Sequence, residues 1–250
     1  MKRQNCKIMK KIILTFAILV FLSSCLHQTS NNASINGCFP DAQGFKLIFQ
    51  EMDTREIHVI DSVVLGQIGK FSFNPIIKEP GFWLLKAQSG KILVLLLHAG
   101  DSIELSGSAR DFPDNVILKG PADAMSLNDF FRYTRQNETQ VDSLEMLLAE
   151  RQDSADYYPL TQKLDTLFRS IWEQQRAFEI AFLTKHPESL ASLIILNYAF
   201  GLSPVLSPDE DFRYYELLDS ALSVRYPDNK HVKFHHERVL ELRQKTQVRK

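Results

Sequence analysis

The sequence predicts an α+β chain, with an antiparallel β-sandwich over residues 33–120 followed by an all-α region over residues 121–250. Three observations carry that expectation. From about Ala33 to Gly120 apolar residues recur with period two, as in Phe45, Leu47 and Phe49, in Phe71 and Phe73, and in Ile103 and Leu105. Successive strand side chains point to opposite faces, so this alternation puts one face in a core and the other in water. Turn formers stand between the runs, at Asp41-Ala42-Gln43-Gly44, Gly66-Gln67-Ile68-Gly69, Gln88-Ser89-Gly90 and Ala99-Gly100-Asp101. They mark out roughly seven or eight short strands. After Pro121 the apolar period lengthens to that of a helix.

The chain opens with the three parts of an export signal. Lys2, Arg3, Lys7, Lys10 and Lys11 make a basic stretch, and Ile12 to Leu22 is a nearly unbroken apolar run. That run is shorter than the roughly 20 residues a membrane-spanning helix needs. Met9-Lys10-Lys11 offers a second start, which would make residues 1–8 an upstream extension. Leu22-Ser23-Ser24-Cys25 resembles the lipobox of bacterial lipoproteins, where a signal peptidase cuts before an acylated cysteine. The resemblance implies loss of residues 1–24 and lipidation of Cys25. It also implies a membrane as partner, held through two or more acyl chains because one binds only marginally. Residues 25–32 then read as a polar tether. They lack the acidic cluster that often accompanies surface display in Bacteroidetes lipoproteins, so the expected place is the cell envelope, on the outer membrane and facing the periplasm.

Charge and cysteine content narrow the classes further. The chain has 29 Lys+Arg and 30 Asp+Glu; the signal holds five of the basic residues and no acidic one, leaving 24 against 30 and a net charge of −6. An acidic chain without a basic run is a poor partner for nucleic acid. Of the three cysteines, Cys6 leaves with the signal and Cys25 is acylated, so Cys38 has no internal partner for a disulfide. It is expected as a small buried strand residue. No stretch after Cys25 is apolar for long enough to cross a membrane.

Within the β-half, Ile92 to Leu97 is continuously apolar, which predicts a strand buried on both faces. In the α-half, Leu160, Leu164, Leu167, Phe168, Ile171, Phe178 and Phe182 form one stripe of a long helix. Pro187 suits the first turn of a helix running to about Phe200, and Pro204 and Pro208 punctuate the loop beyond it. Phe212, Tyr215, Leu218 and Leu222 mark another helix, and Tyr226-Pro227-Asp228 ends it and caps the next. About five or six helices follow from this spacing, and no strand is expected after Gly120.

Five phrases of the β-half carry a family resemblance. They are Asp61-Ser62, Gly69-Lys70-Phe71-Ser72-Phe73, Glu79-Pro80-Gly81-Phe82-Trp83, Ala99-Gly100-Asp101-Ser102-Ile103 and Leu118-Lys119-Gly120. In order and spacing they resemble the β-sandwich domain of unknown function at the N-terminus of many Bacteroidetes lipoproteins. There a helical segment and then a thioredoxin-like domain of the AhpC/TSA or TlpA type follow. The resemblance covers roughly Ala33 to Arg135. The chemistry of such relatives resides in a Cys-x-x-Cys pair, which this chain lacks, along with any βαβ segment to carry it. No catalytic residue carries over and no cofactor is implied. The resemblance points to an accessory module that docks a separate thioredoxin-fold partner.

Other residue patterns offer rival chemistry. Gly100-Asp101-Ser102 after an apolar run, Ser126-Leu127-Asn128-Asp129, and Asp228-Asn229-Lys230-His231 echo the blocks of GDSL-type esterases, with Ser102 as nucleophile. Yet Ser102 leads into the alternating Ile103-Glu104-Leu105-Ser106, which reads as a turn between strands rather than a strand opening a helix. His231 and His235, four apart on a helix, could share a metal ion, but Glu237 lies on another face and no third ligand stands out. His236 beside them fits a solvated helix face. Tyr157, Tyr158, Phe168, Trp172, Phe178 and Phe182 have the spacing of core aromatics rather than of a sugar platform. Trp83 becomes a binding candidate if it faces outward. The expectation is therefore a membrane-tethered, non-catalytic accessory lipoprotein, with glycan or peptide binding as the alternative.

Overall fold

The computed structural model describes residues 31–201 and 203–248. The expected signal peptide, residues 1–24, and the expected lipidation site Cys25 lie outside the described residues. Between Ser34 and Lys119 the chain forms eight strands: β1 (Ser34–Cys38), β2 (Lys46–Met52), β3 (Ile57–Val64), β4 (Lys70–Phe73), β5 (Gly81–Ala87), β6 (Ile92–Leu97), β7 (Ser102–Ser106) and β8 (Ile117–Lys119). They build two four-stranded sheets, ordered β4-β1-β7-β8 and β3-β2-β5-β6. The alternating residues do what their period predicts. Ile35, Phe71, Phe73, Ile103 and Leu105 from one sheet meet Leu47, Phe49, Leu85 and Leu95 from the other in a single core.

One pairing departs from the antiparallel expectation. β1 lies between β4, to which it is antiparallel, and β7, to which it is parallel in the register Ser34↔Ser102 to Cys38↔Ser106. A parallel neighbour needs a long connection, and here the whole of the other sheet separates β1 from β7 in sequence. Cys38 also departs from expectation. It is half-buried, its Sγ donating to the Ile68 carbonyl at 3.6 Å. The reason is the phase of β1. Ile35 and Gly37 point inward, where the Phe71 ring takes the space a Cβ on Gly37 would need, 2.1 Å away. That turns Asn36 and Cys38 outward.

β3 is an edge strand whose Ile57, Val59, Ile60 and Val64 are exposed. A bulge shifts its register against β2 at Phe49/Gln50, and the Asp61 carboxylate accepts the Ser62 N–H at 2.7 Å. Both devices blunt an edge against further pairing, which gives the Asp61-Ser62 phrase a physical cause.

Five helices follow among the described residues: α1 (Ala122–Glu150), α2 (Tyr157–Lys185), α3 (Ala191–Leu196), α4 (Pro208–Arg225) and α5 (Lys230–Val248). Pro187 does not begin a helix running to Phe200. Residues 187–190 form turns in which Ser189 Oγ accepts the Ala191 N–H and the Ser192 hydroxyl donates to the His186 carbonyl. After α3 a small antiparallel hairpin, β9 (Ala199–Phe200) with β10 (Ser203–Pro204), corrects the expectation of no strand after Gly120. Two residues a side are too few for alternation to show. The cap of α5 is Asn229 rather than Asp228, its Oδ1 accepting the N–H groups of His231 and Val232 at 3.0 and 3.3 Å.

The helices cover the outer face of the sheet β3-β2-β5-β6 over β5, β6 and the end of β2, and leave the edge strand β3 exposed. Phe82 and Leu96 leave the sandwich core and join Leu127, Phe130, Leu193, Val232 and Val239 in a second one. β6 is thus buried on both faces over Leu95–Leu97, while Ile92 at its start is exposed. Polar contacts fix the same junction: Asn229 Nδ2 donates to the Pro80 carbonyl at 2.6 Å, and Lys230 Nζ meets Glu51 at 2.6 Å and Asp53 at 3.2 Å.

Candidate functional site

At this junction a cleft of about 460 Å³ opens between sheet and helices. Met52, Asp53 and Thr54 at the end of β2 and Phe82 at the start of β5 form one wall. Leu193 and Ile194 of α3, with Asn197 at its C-terminal cap and Tyr198 and Ala199 beyond, form the second. The third is α5, which presents His231, Phe234, His235 and Arg238. Their spacing of three and four residues places them on one helix face.

The polar groups differ sharply in state. His231 is 8 % exposed and packs edge-on to Phe82 at 4.9 Å. Its Nε2 is buried without a hydrogen-bond partner. Burial, followed by the charge of Lys230, pushes its pKa down to about 4, so the imidazole is neutral at pH 7. His235 is also buried and shifted down by burial; its Nε2 lies 3.0 Å from the Tyr215 carbonyl and donates to it. Arg238 is half-buried. It donates to Asn197 Oδ1 at 2.8 Å and lies over the Tyr215 ring at 5.6 Å. Among the described residues no carboxylate comes within 4.0 Å of it. Across the cleft, Asp53 is held below its usual range, first by the Thr54 N–H and then, against desolvation, by Lys230. The cleft therefore has an apolar middle, an ion-paired acid on the sheet side and, on the helix side, a guanidinium oriented by Asn197 and Tyr215. Arg in such a pose is suited to a carboxylate.

Other sequence candidates fall elsewhere. Trp83 does not face outward: it is 5 % exposed and stacks on Phe49 at 5.1 Å inside the sandwich. Ser102 is an exposed strand residue whose Oγ sits 3.1 Å from Ser34 Oγ. Asp101 is occupied by the His98 N–H at 2.8 Å, in a turn where Gly100 has φ 85°. Among the described residues neither a histidine nor a carboxylate side chain bonds Ser102, and the GDSL-like blocks are not brought together there. His235 is engaged with Tyr215 and His236 Nδ1 with Asp219 at 2.8 Å, while Glu237 is exposed. Among the described residues no group of three His, Cys, Asp or Glu side chains could hold a metal ion. A concave area of about 560 Å³ on β4-β1-β7-β8, lined by Asn36, Cys38, Lys70, Glu104 and Lys119 among others, is the outward face of four strands rather than a gap between elements.

A separate polar cluster is sealed between α1 and α2. Glu179 is fully buried, and Gln175 Nε2 donates both to its Oε1 at 2.9 Å and to Thr134 Oγ1 at 3.0 Å. Gln175 in turn accepts from Asn137 Nδ2 at 2.9 Å. Glu179 Oε2 has no partner, and burial pushes the carboxyl pKa up to about 8.

Asn197 and Arg238 join the site only through the fold. The spacing 231, 234, 235, 238 was visible, but a helix face with three basic-type residues reads as solvated until the sheet that covers it is known. No protein-family model matches the chain, and no curated protein matches it. Fold and cleft together define a class: a β-sandwich fused to a helical layer, with a ligand-sized site where the two meet.

Proposed function

We propose that the protein is a lipid-anchored, non-catalytic binding module of the cell envelope, which receives a ligand with an apolar body and a carboxylate in the junction cleft. The observation that carries the ligand part is Arg238, which Asn197 and Tyr215 orient at the cleft with no carboxylate within 4.0 Å among the described residues. The test is a titration with octanoate, phenylbutyrate and tripeptides ending in leucine. At least one is expected to bind, with Arg238→Gln reducing its affinity about tenfold or more. If none binds, or if Arg238→Gln binds as well as the parent chain, the cleft reading fails.

The anchor part rests on the lipobox-like Leu22-Ser23-Ser24-Cys25. Labelling of cells with an alkynyl fatty acid is expected to tag the protein, and Cys25→Ser to remove the tag and release the chain from the membrane fraction. A tag that survives Cys25→Ser would refute lipidation at that residue. A second reading, docking of a thioredoxin-fold oxidoreductase, is supported by the order of the five phrases, which resembles that of the Bacteroidetes lipoprotein domain. Each of them falls at a strand or strand entry of the sandwich. In-cell crosslinking that recovers no such oxidoreductase would set it aside.

A further inference from the structure

The α1–α2 hairpin carries more apolar surface than its two helices bury between them. Between Val141 and Ile171 only Leu164 is buried among the described residues. A groove of about 210 Å³ runs along this arm, with Val141, Leu144, Leu148, Leu164 and Phe168 in its floor and Glu145 and Asp165 on its lips. At its inner end Phe168 meets Trp172 and Phe200, with ring centroids 6.4 and 6.5 Å apart. Met146 and Leu167 stand 64 % and 43 % exposed on the same arm. An antiparallel helix pair of this kind lacks the third or fourth helix that would close it into a bundle.

Charge selects the occupant. Residues 138–173 contain eight acidic and three basic side chains, a net charge of −5. Two of the three cations are already engaged, Arg151 with Asp156 at 3.6 Å and Arg169 with Asp165 at 2.9 Å. A second copy of this chain would set one acidic arm against another, which is unfavourable. We propose that the groove docks a cationic amphipathic helix of a partner protein, its apolar stripe on Leu144, Leu148 and Phe168 and its basic flanks against Glu145 and the net negative charge of the arm. This surface is separate from the junction cleft and does not depend on that reading.

The probe is a synthetic helical peptide of about 18 leucines and lysines in amphipathic order, set against the same peptide with glutamate for lysine. Calorimetric titration of the full-length chain is expected to give micromolar binding of the lysine peptide and at least tenfold weaker binding of the glutamate peptide. Leu148→Asp is expected to weaken the lysine peptide about tenfold while adding a negative charge. Attraction by bulk charge alone would instead strengthen it, which makes the variant decisive. Phe168→Ser, at a more exposed position, serves if Leu148→Asp fails to fold. Equal affinity for the two peptides overturns the proposal. So does unchanged or improved binding by the groove variant, or a dimer of the parent chain that the same variant dissolves.

Discussion

Glu179→Gln is expected to stabilise the protein by on the order of 3–5 kcal/mol at pH 8.5 and to be nearly neutral at pH 4, because each unit of pKa shift corresponds to about 1.4 kcal/mol. The sign follows from proton counts. In the unfolded chain the carboxyl ionises above its ordinary pKa of 4.5, whereas in the fold burial keeps the proton on until about pH 8. Between those values the folded state binds more protons than the unfolded one, so stability falls as pH rises. Below 4.5 both states are protonated and the cost is absent. Glutamine mimics the neutral acid at every pH: its oxygen can still accept from Gln175, and its amide replaces a carboxyl oxygen that already lacks a partner. His231 and His235 act in the opposite direction. Their lowered pKa values remove stability as pH falls below about 6.5, but this contribution is shared by both proteins and cancels in the difference. Urea denaturation from pH 4.5 to 8.5 provides the check. A difference between the two proteins that stays constant over that range would mean that Glu179 is ionised in the fold.

Trp83→Ala is expected to cost about 3–5 kcal/mol, a large share of the roughly 5–15 kcal/mol by which domains are stable. Trp83 ends a stack in which Phe49 lies 5.1 Å from it at 10° and Phe73 lies 5.0 Å beyond at 16°. Alanine leaves one face of Phe49 against a void between two sheets that strand pairing holds apart, so the site can collapse only in part. Trp83→Phe keeps a ring in the stack and is expected to lose much less. The readout is the urea midpoint, with the slope unchanged. A surface platform would behave differently, losing ligand while stability moved by no more than about 0.5 kcal/mol. That second pattern would return Trp83 to the binding candidates.

Trp83 also marks where the sequence stops being readable. Alternation assigns a face only when apolar and polar residues take turns, and Phe82-Trp83-Leu84-Leu85 offers no polar residue to set the phase. Both faces of β5 are buried, Phe82 in the helical core and Trp83 in the sandwich. Ile35-Asn36-Gly37-Cys38 did hold the phase, since Ile35 inward puts Cys38 outward, but Gly37 at an inward position disguises it. Period two and period 3.6 correctly separate strands from helices near Pro121. Neither period says which strand neighbours which, so the parallel β1–β7 pair was invisible. The cleft was hidden for the same reason. Its walls come from residues near 53, 82, 195 and 235, and only the close face of α5 had a local signature.

The sheet β3-β2-β5-β6 serves two cores at once, and this has a consequence for the order of synthesis. A nascent chain that has emerged as far as Gly120 has every strand of the sandwich, yet Phe82 and Leu96 still lie bare on the back of a completed sheet. Leu127 and Phe130 arrive soon afterwards, but Val232 and Val239 belong to the same cluster and emerge more than a hundred residues later. Until then the half-made molecule presents a sticky, strand-rich surface to its neighbours. The period of greatest aggregation risk is therefore set by how long the helices take to follow, and a holding chaperone would have most to shield just after the last strand is made.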